Sequence, residues 1–175
     1  MAATTVADHY GIPLERIAEE LSQATPASKR GEIVRFSRGF TVINDAYNSN
    51  PRALKEMVDT ICATNSVKRR IVVVGEMLEL GEGAPELHRE CGREMARRGV
   101  DMVIGVRGLA QEFLEGARQE AMPPAATFFC ETPEAAAQLL FDNLQEGDLV
   151  LVKGSRGVQM ERVIVELRRL SGETG

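Results

Sequence analysis

Short apolar runs and amphipathic stretches alternate along most of this chain. The apolar runs, which are typical of buried strands, lie at 71–74, 100–106, 127–130 and 149–152. The stretches with apolar residues at helical spacing lie at 50–64, 85–98, 109–121, 132–144 and 160–167. Two further apolar stretches, 33–36 and 40–43, flank a turn with the sequence Ser-Arg-Gly and predict a short hairpin.

Strands that alternate with helices in this way favour an α/β fold. Because the apolar runs are continuous, we expect a mostly parallel sheet covered by helices on both faces, which makes a three-layer domain. Asn50 with Pro51, and Thr132 with Pro133, are good helix starts, since Asn and Thr cap a first turn and proline fits it. Ligands of such sheets bind beyond the carboxyl ends of the strands, so the loops after the strands are the candidate binding segments.

The first residues carry a different pattern from the rest. Apolar residues at helical spacing over Pro13–Leu21 predict a helix, and the polar, turn-rich segment 23–28 predicts a linker. We therefore expect a short helical segment with its linker at 1–28, followed by the α/β domain at 29–175.

The loop 44–50 follows the predicted hairpin and is rich in Asp and Asn. Together with Glu76, which follows the next apolar run, it can present carboxylates and amides to a ligand at the sheet edge. Asp and Asn also form turns and cap helices, and this structural role stays open for the loop. An acidic, solvated loop is the alternative for Glu76 and its neighbours Glu79, Glu82 and Glu86.

The segment Lys153–Gly157 follows the last predicted strand and precedes a helix. Lys153 and Arg156 offer cations, and Gly154 and Gly157 allow the backbone to approach a ligand closely. Because helix N-termini present free N–H groups, the segment favours an anion site. A solvated helix start is the alternative reading of the two cations.

Composition and charge exclude several classes of function. Across 175 residues, Asp and Glu number 26 against 21 for Lys and Arg, so the net charge is −5 and the basic footprint of a nucleic-acid binder is missing. No apolar run approaches the roughly 20 residues of a membrane span, and residues 1–11 lack the features of a signal peptide. We therefore expect a soluble, cytoplasmic protein with no nucleic-acid partner.

Few residues offer nucleophilic, metal-binding or phosphate-binding chemistry. Cys62, Cys91 and Cys130 are too widely spaced for a CxxC metal site, so buried free thiols are expected. His88, in the first turns of a helix, is expected to be a partly exposed helix residue, and no metal site is predicted. The sequence has neither a GxxxxGK[ST] phosphate loop nor a GxGxxG motif, so the chain is no self-contained ATPase or dehydrogenase.

Three segments, in order, resemble motifs of the Mur ligases. Thr41–Pro51 reads TVINDAYNSNP and is similar to the family's D-D-x-Y-N-x-N-P segment. Val73–Gly81 reads VVGEMLELG, is followed by His88, and resembles the G-[DE]-M-x-E-L-G…H segment of one branch. Leu151–Gly157 reads LVKGSRG, is followed by M-E, and resembles that branch's K-G-S-R…M-E segment. The similarity runs from about residue 29 to 170, which is nearly the whole chain.

This resemblance implies the Rossmann-like C-terminal domain of a three-domain, ATP-dependent amide ligase of peptidoglycan precursor synthesis. In that branch, ATP phosphorylates the carboxylate of UDP-MurNAc-tripeptide, and the amine of D-Ala-D-Ala attacks the acyl phosphate. ATP and Mg²⁺ would serve the full-length enzyme, whose N-terminal and central domains would be partners of this one. The fragment alone is expected to be inactive and not to bind ATP tightly, and 1–28 would be the last piece of the central domain.

The resemblance also implies roles for individual residues. The residues expected to face ATP when the domains close are Arg30, Asp45, Asn48 and Asn50. The residues expected to bind D-Ala-D-Ala are Lys153, Ser155, Arg156 and Glu76. The free carboxylate of the dipeptide needs cations and hydrogen-bond donors, which the loop after the last strand supplies. Two positions depart from the family's pattern, since Lys29 replaces a glycine and Asn44 replaces the first aspartate.

Two alternatives stay open at the level of the sequence. The chain could belong to another Mur branch or to a polyglutamate-type ligase, although the segment Gly75–Gly81 argues against both. It could also be a receiver-like signalling module, since such modules carry acids at one strand end and a lysine at the last. The middle strand, however, ends in Gly75-Glu76, without an aspartate to phosphorylate.

Overall fold

The computed structural model of the chain describes residues 9–13, 15, 16, 19 and 31–173. The helix and linker expected within 1–28 fall largely outside the described residues, and so does the boundary between 28 and 29. Lys29 and Arg30 lie outside them as well. Over the described part of the chain, no helix has the length and apolar character needed to cross a membrane.

Strands and helices alternate along the described residues as the sequence predicts. The strands are β1 (Glu32–Arg35), β2 (Thr41–Asp45), β3 (Arg69–Gly75), β4 (Met102–Val106), β5 (Thr127–Cys130) and β6 (Asp148–Lys153). The helices are α1 (Pro51–Ala63), α2 (Ala84–Arg97), α3 (Ala110–Gln119), α4 (Pro133–Asn143) and α5 (Glu161–Leu170). Short 3₁₀ turns lie at Gly81–Gly83, Pro124–Ala126 and Arg156–Val158. Each strand and helix predicted between 32 and 170 is confirmed, with bounds that differ by at most a few residues.

The strands form one sheet in the order β1-β2-β6-β3-β4-β5. β1 and β2 form the predicted antiparallel hairpin, and all the other neighbouring strands run parallel. The mostly parallel sheet is therefore confirmed, with the antiparallel β1 at one edge. β6 lies between β2 and β3 although it comes last in the chain, so the direction of strand addition reverses beside it.

Helices cover both faces of the sheet, as expected. On one face, α1, α2 and α3 pack over Val72 and Val74 of β3. On the other face, α4 and α5 pack over Ile71 and Val73, the alternating positions of the same strand. The continuous apolar run of β3 is thus buried on both sides, and each fully buried side chain of this kind contributes about 1.5–3 kcal/mol.

Two predicted helix starts are capped by side chains. The Asn50 side chain accepts a hydrogen bond from the Ala53 N–H, and the Thr132 side chain accepts one from the Ala135 N–H. In both helices a proline takes the first position, where no N–H is needed. The Asn50 cap therefore fixes the point at which α1 leaves the loop after β2.

Helices α2 and α3 approach each other closely at two glycines. A Cβ on Gly92 would lie 2.0 Å from the Phe113 carbonyl oxygen, and one on Gly116 would lie 2.0 Å from the Arg89 carbonyl oxygen. Only residues without a side chain allow this packing, because interiors are filled to crystal-like density. The contact anchors α2, whose first turns carry His88, firmly against α3.

The three cysteines are free thiols, as predicted. Cys91 is buried, whereas Cys62 and Cys130 are half-buried, so the expectation of full burial holds for Cys91 alone among the three. Burial raises the pKa of the Cys91 thiol to about 12 and raises the pKa of the other two as well. All three are therefore predominantly protonated, unreactive thiols at neutral pH.

Candidate substrate cleft

The loops after β2, β3 and β6 meet at the carboxyl edge of the sheet and enclose a cleft of about 240 Å³. The described residues that line it are Tyr47, Asn48, Leu78, Glu79, Ser155, Arg156 and Gly157. The cleft lies where the strand order reverses beside β6, the place at which open α/β sheets bind ligands. The topology thus brings together three motif segments, around 44–50, 75–81 and 153–157, that are far apart in the sequence.

Lys153, the last residue of β6, is only 2% exposed. It lies beside Asp45 in the register of β6 and β2, and its Nζ forms an ion pair with the Asp45 carboxylate. Nζ also donates a hydrogen bond of 2.9 Å to the Asn48 carbonyl oxygen. A buried ammonium needs such partners, because taking it out of water costs several kcal/mol. The reading of Lys153 as part of a solvated helix start is therefore wrong.

This ion pair lies beside the cleft, since neither Lys153 nor Asp45 is among the described residues that line it. The Lys153 ammonium is shared between Asp45 and the Asn48 carbonyl, so the pair presents little net charge to the cleft. Its direct effect is to hold the loop after β2 against the end of β6. These two contacts use two of the three N–H donors of the ammonium.

Arg156 supplies an exposed cation at the rim of the cleft. Its guanidinium carbon lies 5.5 Å from the centroid of the Tyr47 ring, and Nη1 lies 3.5 Å from the Tyr47 hydroxyl. Packing against the ring orients the guanidinium without removing it from water. A guanidinium held in this way can bind a carboxylate through two parallel hydrogen bonds.

Ser155 joins the loop after β6 to the loop after β3. It is buried, and its Oγ accepts a hydrogen bond of 2.9 Å from the Leu78 N–H. Its own N–H donates a long bond of 3.4 Å to the Glu76 carbonyl oxygen. The Leu78 side chain packs so closely on Gly157 that a Cβ there would lie 2.8 Å from Leu78 Cδ1. The two loops therefore form one continuous wall of the cleft.

The asparagines after β2 serve the loop itself. Asn48 Oδ1 accepts a hydrogen bond of 2.8 Å from the Ser49 N–H, and Asn50 caps α1. The structural role left open for this loop, turn formation and helix capping, is therefore confirmed. That Asp45, Asn48 and Asn50 face ATP in the closed enzyme stays a prediction.

Asn44, which departs from the family's pattern, is buried beside an acidic partner. Its Nδ2 donates to Glu32 Oε2 at 2.9 Å, directly across the β1–β2 hairpin. Two carboxylates at these facing positions would repel each other. The amide at Asn44 is thus matched to Glu32 in this chain, and its side chain is committed to the hairpin.

Glu76 lies outside the set of described residues that line the cleft. Its carboxylate packs against the loop after β4, where a Cβ on Gly108 would lie 2.1 Å from Glu76 Oε2. Gly108 has a φ of +51°, a conformation that favours glycine. The structure therefore does not bring the Glu76 side chain together with Ser155 and Arg156, and its role in dipeptide binding stays a prediction.

His88 is fully buried, so the expectation of a partly exposed helix residue is wrong. Its Nδ1 lies 2.6 Å from the Ala84 carbonyl oxygen, and its Nε2 accepts a hydrogen bond of 2.9 Å from the Met77 N–H. These two contacts require a neutral ring with the proton on Nδ1. Burial lowers the pKa of His88, while the bond to Ala84 and the charges of Glu76 and Glu112 act in the opposite direction.

Met160 packs beneath the ends of two neighbouring strands. A Cβ on Gly75, at the end of β3, would lie 2.8 Å from Met160 Sδ, and one on Gly154, after β6, would lie 2.5 Å from Met160 Cγ. Met160 is fully buried there. Residues from two of the three resembling segments thus meet in one contact that sets the spacing of the cleft loops.

Arg30 and any metal site both bear on the expected use of ATP and Mg²⁺ by the full-length enzyme. Arg30, which was expected to face the nucleotide, lies outside the described part of the chain. Within that part, no group of three His, Cys, Asp or Glu side chains is arranged to hold a metal ion.

The profile of the family described as "Mur ligase, glutamate ligase domain" matches residues 29–156. The matched region covers more than half of the chain and includes every residue that lines the cleft, apart from Gly157. The chain belongs to the Mur ligase family. This membership excludes the reading as a receiver-like signalling module.

Relatives and solved structures agree with this assignment. The UDP-N-acetylmuramoyl-tripeptide–D-alanyl-D-alanine ligase of Bacillus subtilis is 30% identical to this Mur ligase domain over 95% of the chain and 36% of that enzyme. MurF of Acinetobacter baumannii superimposes with a TM-score of 0.81 at 26% identity, over 93% of this chain and 35% of that one. MurF ligase of Thermotoga maritima, in complex with ADP, gives a TM-score of 0.79 at 24% identity, over 98% and 37%. The Rossmann-like fold is therefore confirmed, and the chain spans about a third of the length of these proteins.

Proposed function

We propose that this chain is the C-terminal part of an ATP-dependent ligase that joins D-Ala-D-Ala to UDP-MurNAc-tripeptide in peptidoglycan precursor synthesis. The observation that carries the proposal is the cleft beside β6, which is built from the segments that this Mur ligase domain shares with its family. Relatives of matching sequence bear the name of that ligase. Because the chain spans 36% of such a relative, the remaining chemistry would be supplied by domains outside it.

The size and lining of the cleft suit a small amine substrate with one carboxylate. Its volume of about 240 Å³ lies below the roughly 300–1,000 Å³ of sites for drug-sized molecules. D-Ala-D-Ala has a carboxylate at one end, a nucleophilic amine at the other, and two methyl groups between them. We assign the carboxylate to the Arg156 guanidinium and a methyl contact to Leu78, which is partly exposed at the cleft.

Lys153 and Ser155 would support this binding from beneath the surface. Lys153 holds the Asp45–Asn50 loop in place, and Ser155 holds the loop that carries Leu78. Both were expected to bind the dipeptide, and the proposal keeps them at its site as buried groups that fix the walls. Binding in a fixed geometry is what turns a dilute amine into an effective nucleophile.

In the proposed reaction, ATP phosphorylates the tripeptide carboxylate, and the dipeptide amine then attacks the acyl carbon. A tetrahedral intermediate forms, phosphate leaves with the bond electrons, and the amine loses a proton as the amide forms. The part played by this chain is to bring the amine in a fixed orientation and to exclude water, which would otherwise hydrolyse the acyl phosphate. In the closed enzyme, the nucleotide would be faced by Asp45, Asn48, Asn50 and Arg30. Mg²⁺ would be needed, as in other phosphoryl transfers. Since ATP and UDP-linked sugars are cytoplasmic substrates, we place the protein in the cytoplasm.

The choice of amine tests the proposal. Phosphate release by the full-length protein is measured with ATP, UDP-MurNAc-tripeptide and one amine at a time: D-Ala-D-Ala, diaminopimelate, D-glutamate or L-alanine. We expect release to depend on D-Ala-D-Ala. Dependence on another amine would assign the chain to a different Mur branch, and the 175-residue chain alone should neither hydrolyse ATP nor bind it tightly.

A further inference from the structure

We propose that His88 is a positioning residue that fixes the wall of the amine-substrate cleft through the backbone of Met77. The assignment of the cleft to an amine substrate rests on the proposed function, whereas the hydrogen bond itself does not. His88 does not line the cleft, so any effect on substrate binding must pass through the loop that it holds.

The loop after β3 is tied to its surroundings by three consecutive backbone N–H groups. The three bonds are Glu76 N–H to the Val106 carbonyl oxygen (3.3 Å), Met77 N–H to His88 Nε2 (2.9 Å) and Leu78 N–H to Ser155 Oγ (2.9 Å). They bind the loop to β4, to α2 and to the loop after β6. The central bond is the only one of the three that comes from a side chain on a long helix.

An imidazole suits this place because it bonds in two directions at once. Nδ1 donates to the Ala84 carbonyl oxygen within α2, which orients the ring, and Nε2 then points out of the helix to the Met77 N–H. The ring also packs against Phe113 of α3, with the centroids 4.7 Å apart. Because α2 and α3 are locked together at Gly92 and Gly116, His88 is mounted on a rigid pair of helices.

The connection from His88 to the cleft is short. Met77 is itself 1% exposed, and the next residue, Leu78, lies at the cleft and packs on Gly157. Movement of the Met77 backbone would therefore shift Leu78 and loosen its bond to Ser155. The expected consequence is weaker binding of the amine substrate with little change in the chemical step.

Two variants separate the two bonds of the ring. In His88→Gln, the amide oxygen can reach the position of Nε2 and keep the bond to Met77; in His88→Asn, the shorter amide can keep only the bond to Ala84. Hydrogen exchange of the Met77 amide, followed by NMR in this chain, reports on the bond without any substrate. We expect at least tenfold faster exchange in His88→Asn, and nearly wild-type exchange in His88→Gln.

The kinetic readout uses the full-length ligase with the same variants. We expect His88→Asn to raise the KM for the amine substrate about tenfold, with kcat and the KM for ATP changed less than twofold, and His88→Gln to restore the KM. An unchanged amine KM in His88→Asn, or equal losses of kcat in both variants, would show a merely structural histidine and overturn the proposal. If the wild-type enzyme uses an amine other than D-Ala-D-Ala, the proposed function fails, and the same comparison is made with that amine.

Discussion

Lys153 and Asp45 are 108 residues apart in the sequence and form an ion pair at the carboxyl edge of the sheet. β6 carries one partner and β2 the other, and the two strands become neighbours only because β6 inserts between β2 and β3. The pair therefore links the last strand of the domain to its first parallel strand at the point where the cleft opens. Its integrity should matter to both stability and activity.

Replacing Lys153 by Met keeps the apolar stem but leaves Asp45 without its cation. Breaking a fully buried pair in this way costs about 3–5 kcal/mol, and we expect somewhat less because the Asp45 side chain is 17% exposed. Urea denaturation measures the loss, and the double variant Lys153→Met/Asp45→Asn should recover part of it. If Lys153→Met unfolds at the same urea concentration as the wild type, the ion pair does not stabilise the domain.

In the full-length ligase, Lys153→Ala and Asp45→Ala should each reduce ligation by orders of magnitude.

Arg156→Gln should weaken binding of the amine substrate. A hydrogen bond to a charged group is worth roughly 1.5–3 kcal/mol, so the KM for D-Ala-D-Ala should rise roughly ten- to a hundredfold, with a smaller effect on kcat. The matched control is Arg162→Gln, which removes an exposed arginine that pairs with Glu134 away from the cleft. The control should leave the KM unchanged. If Arg156→Gln also leaves it unchanged, Arg156 does not bind the substrate carboxylate.

Gly92→Ala should destabilise the domain by separating α2 from α3. The added Cβ would lie 2.0 Å from the Phe113 carbonyl oxygen, and overpacking of this kind costs about 1–3 kcal/mol or more because backbone must move. Gly83→Ala is the control, since a Cβ there meets nothing within 4 Å. Thermal unfolding of the two variants gives the comparison, and equal midpoints would argue against the close helix contact.

The buried His88 should make stability depend on pH. Burial lowers its pKa in the folded state, so the folded protein binds fewer protons than the unfolded one and the free energy of unfolding falls as the pH decreases. The fall should begin near the unfolded-state pKa of about 6.5 and continue toward the lowered folded value. Glu76 and Glu112 moderate it, because their charges raise the pKa of the ring.

The measurement for this prediction is urea denaturation of wild type and His88→Gln between pH 8 and pH 5. Carboxylates that titrate in the lower part of this range affect both proteins, so the difference between them isolates the histidine. We expect the wild type to lose more stability than the variant below pH 6.5. Parallel curves would show that His88 titrates alike in the folded and unfolded states.

The fold was predictable from the sequence because its signals are local. The continuous apolar run at β3 needs burial on both faces, and the cap at Asn50 with Pro51 determines where α1 begins. The position of β6 between β2 and β3 depends on tertiary pairing, which no local pattern encodes. For the same reason, the pairing of Lys153 with Asp45 was not foreseen, although both residues were expected at the site.

The helix pattern led to a wrong prediction for His88, which is buried and not partly exposed. Cys91 and Met95 lie on the buried face of α2, and His88 lies three and seven residues before them, on that same face. The spacing therefore contained the signal, but a polar side chain is usually assigned to solvent. Tyr47 and Leu78, which line the cleft, were also not singled out, because their role depends on loops brought together by the sheet.

The mass of the product formed by the full-length protein is the decisive measurement for the proposed D-Ala-D-Ala ligase activity. The protein is incubated with ATP, Mg²⁺, UDP-MurNAc-tripeptide and an equimolar mixture of D-Ala-D-Ala, diaminopimelate, D-glutamate and L-alanine, and the UDP-linked product is analysed by mass spectrometry. We expect one product, the tripeptide extended by D-Ala-D-Ala with loss of one water. A product extended by any other amine, or no product in the presence of ATP, would contradict the proposed activity.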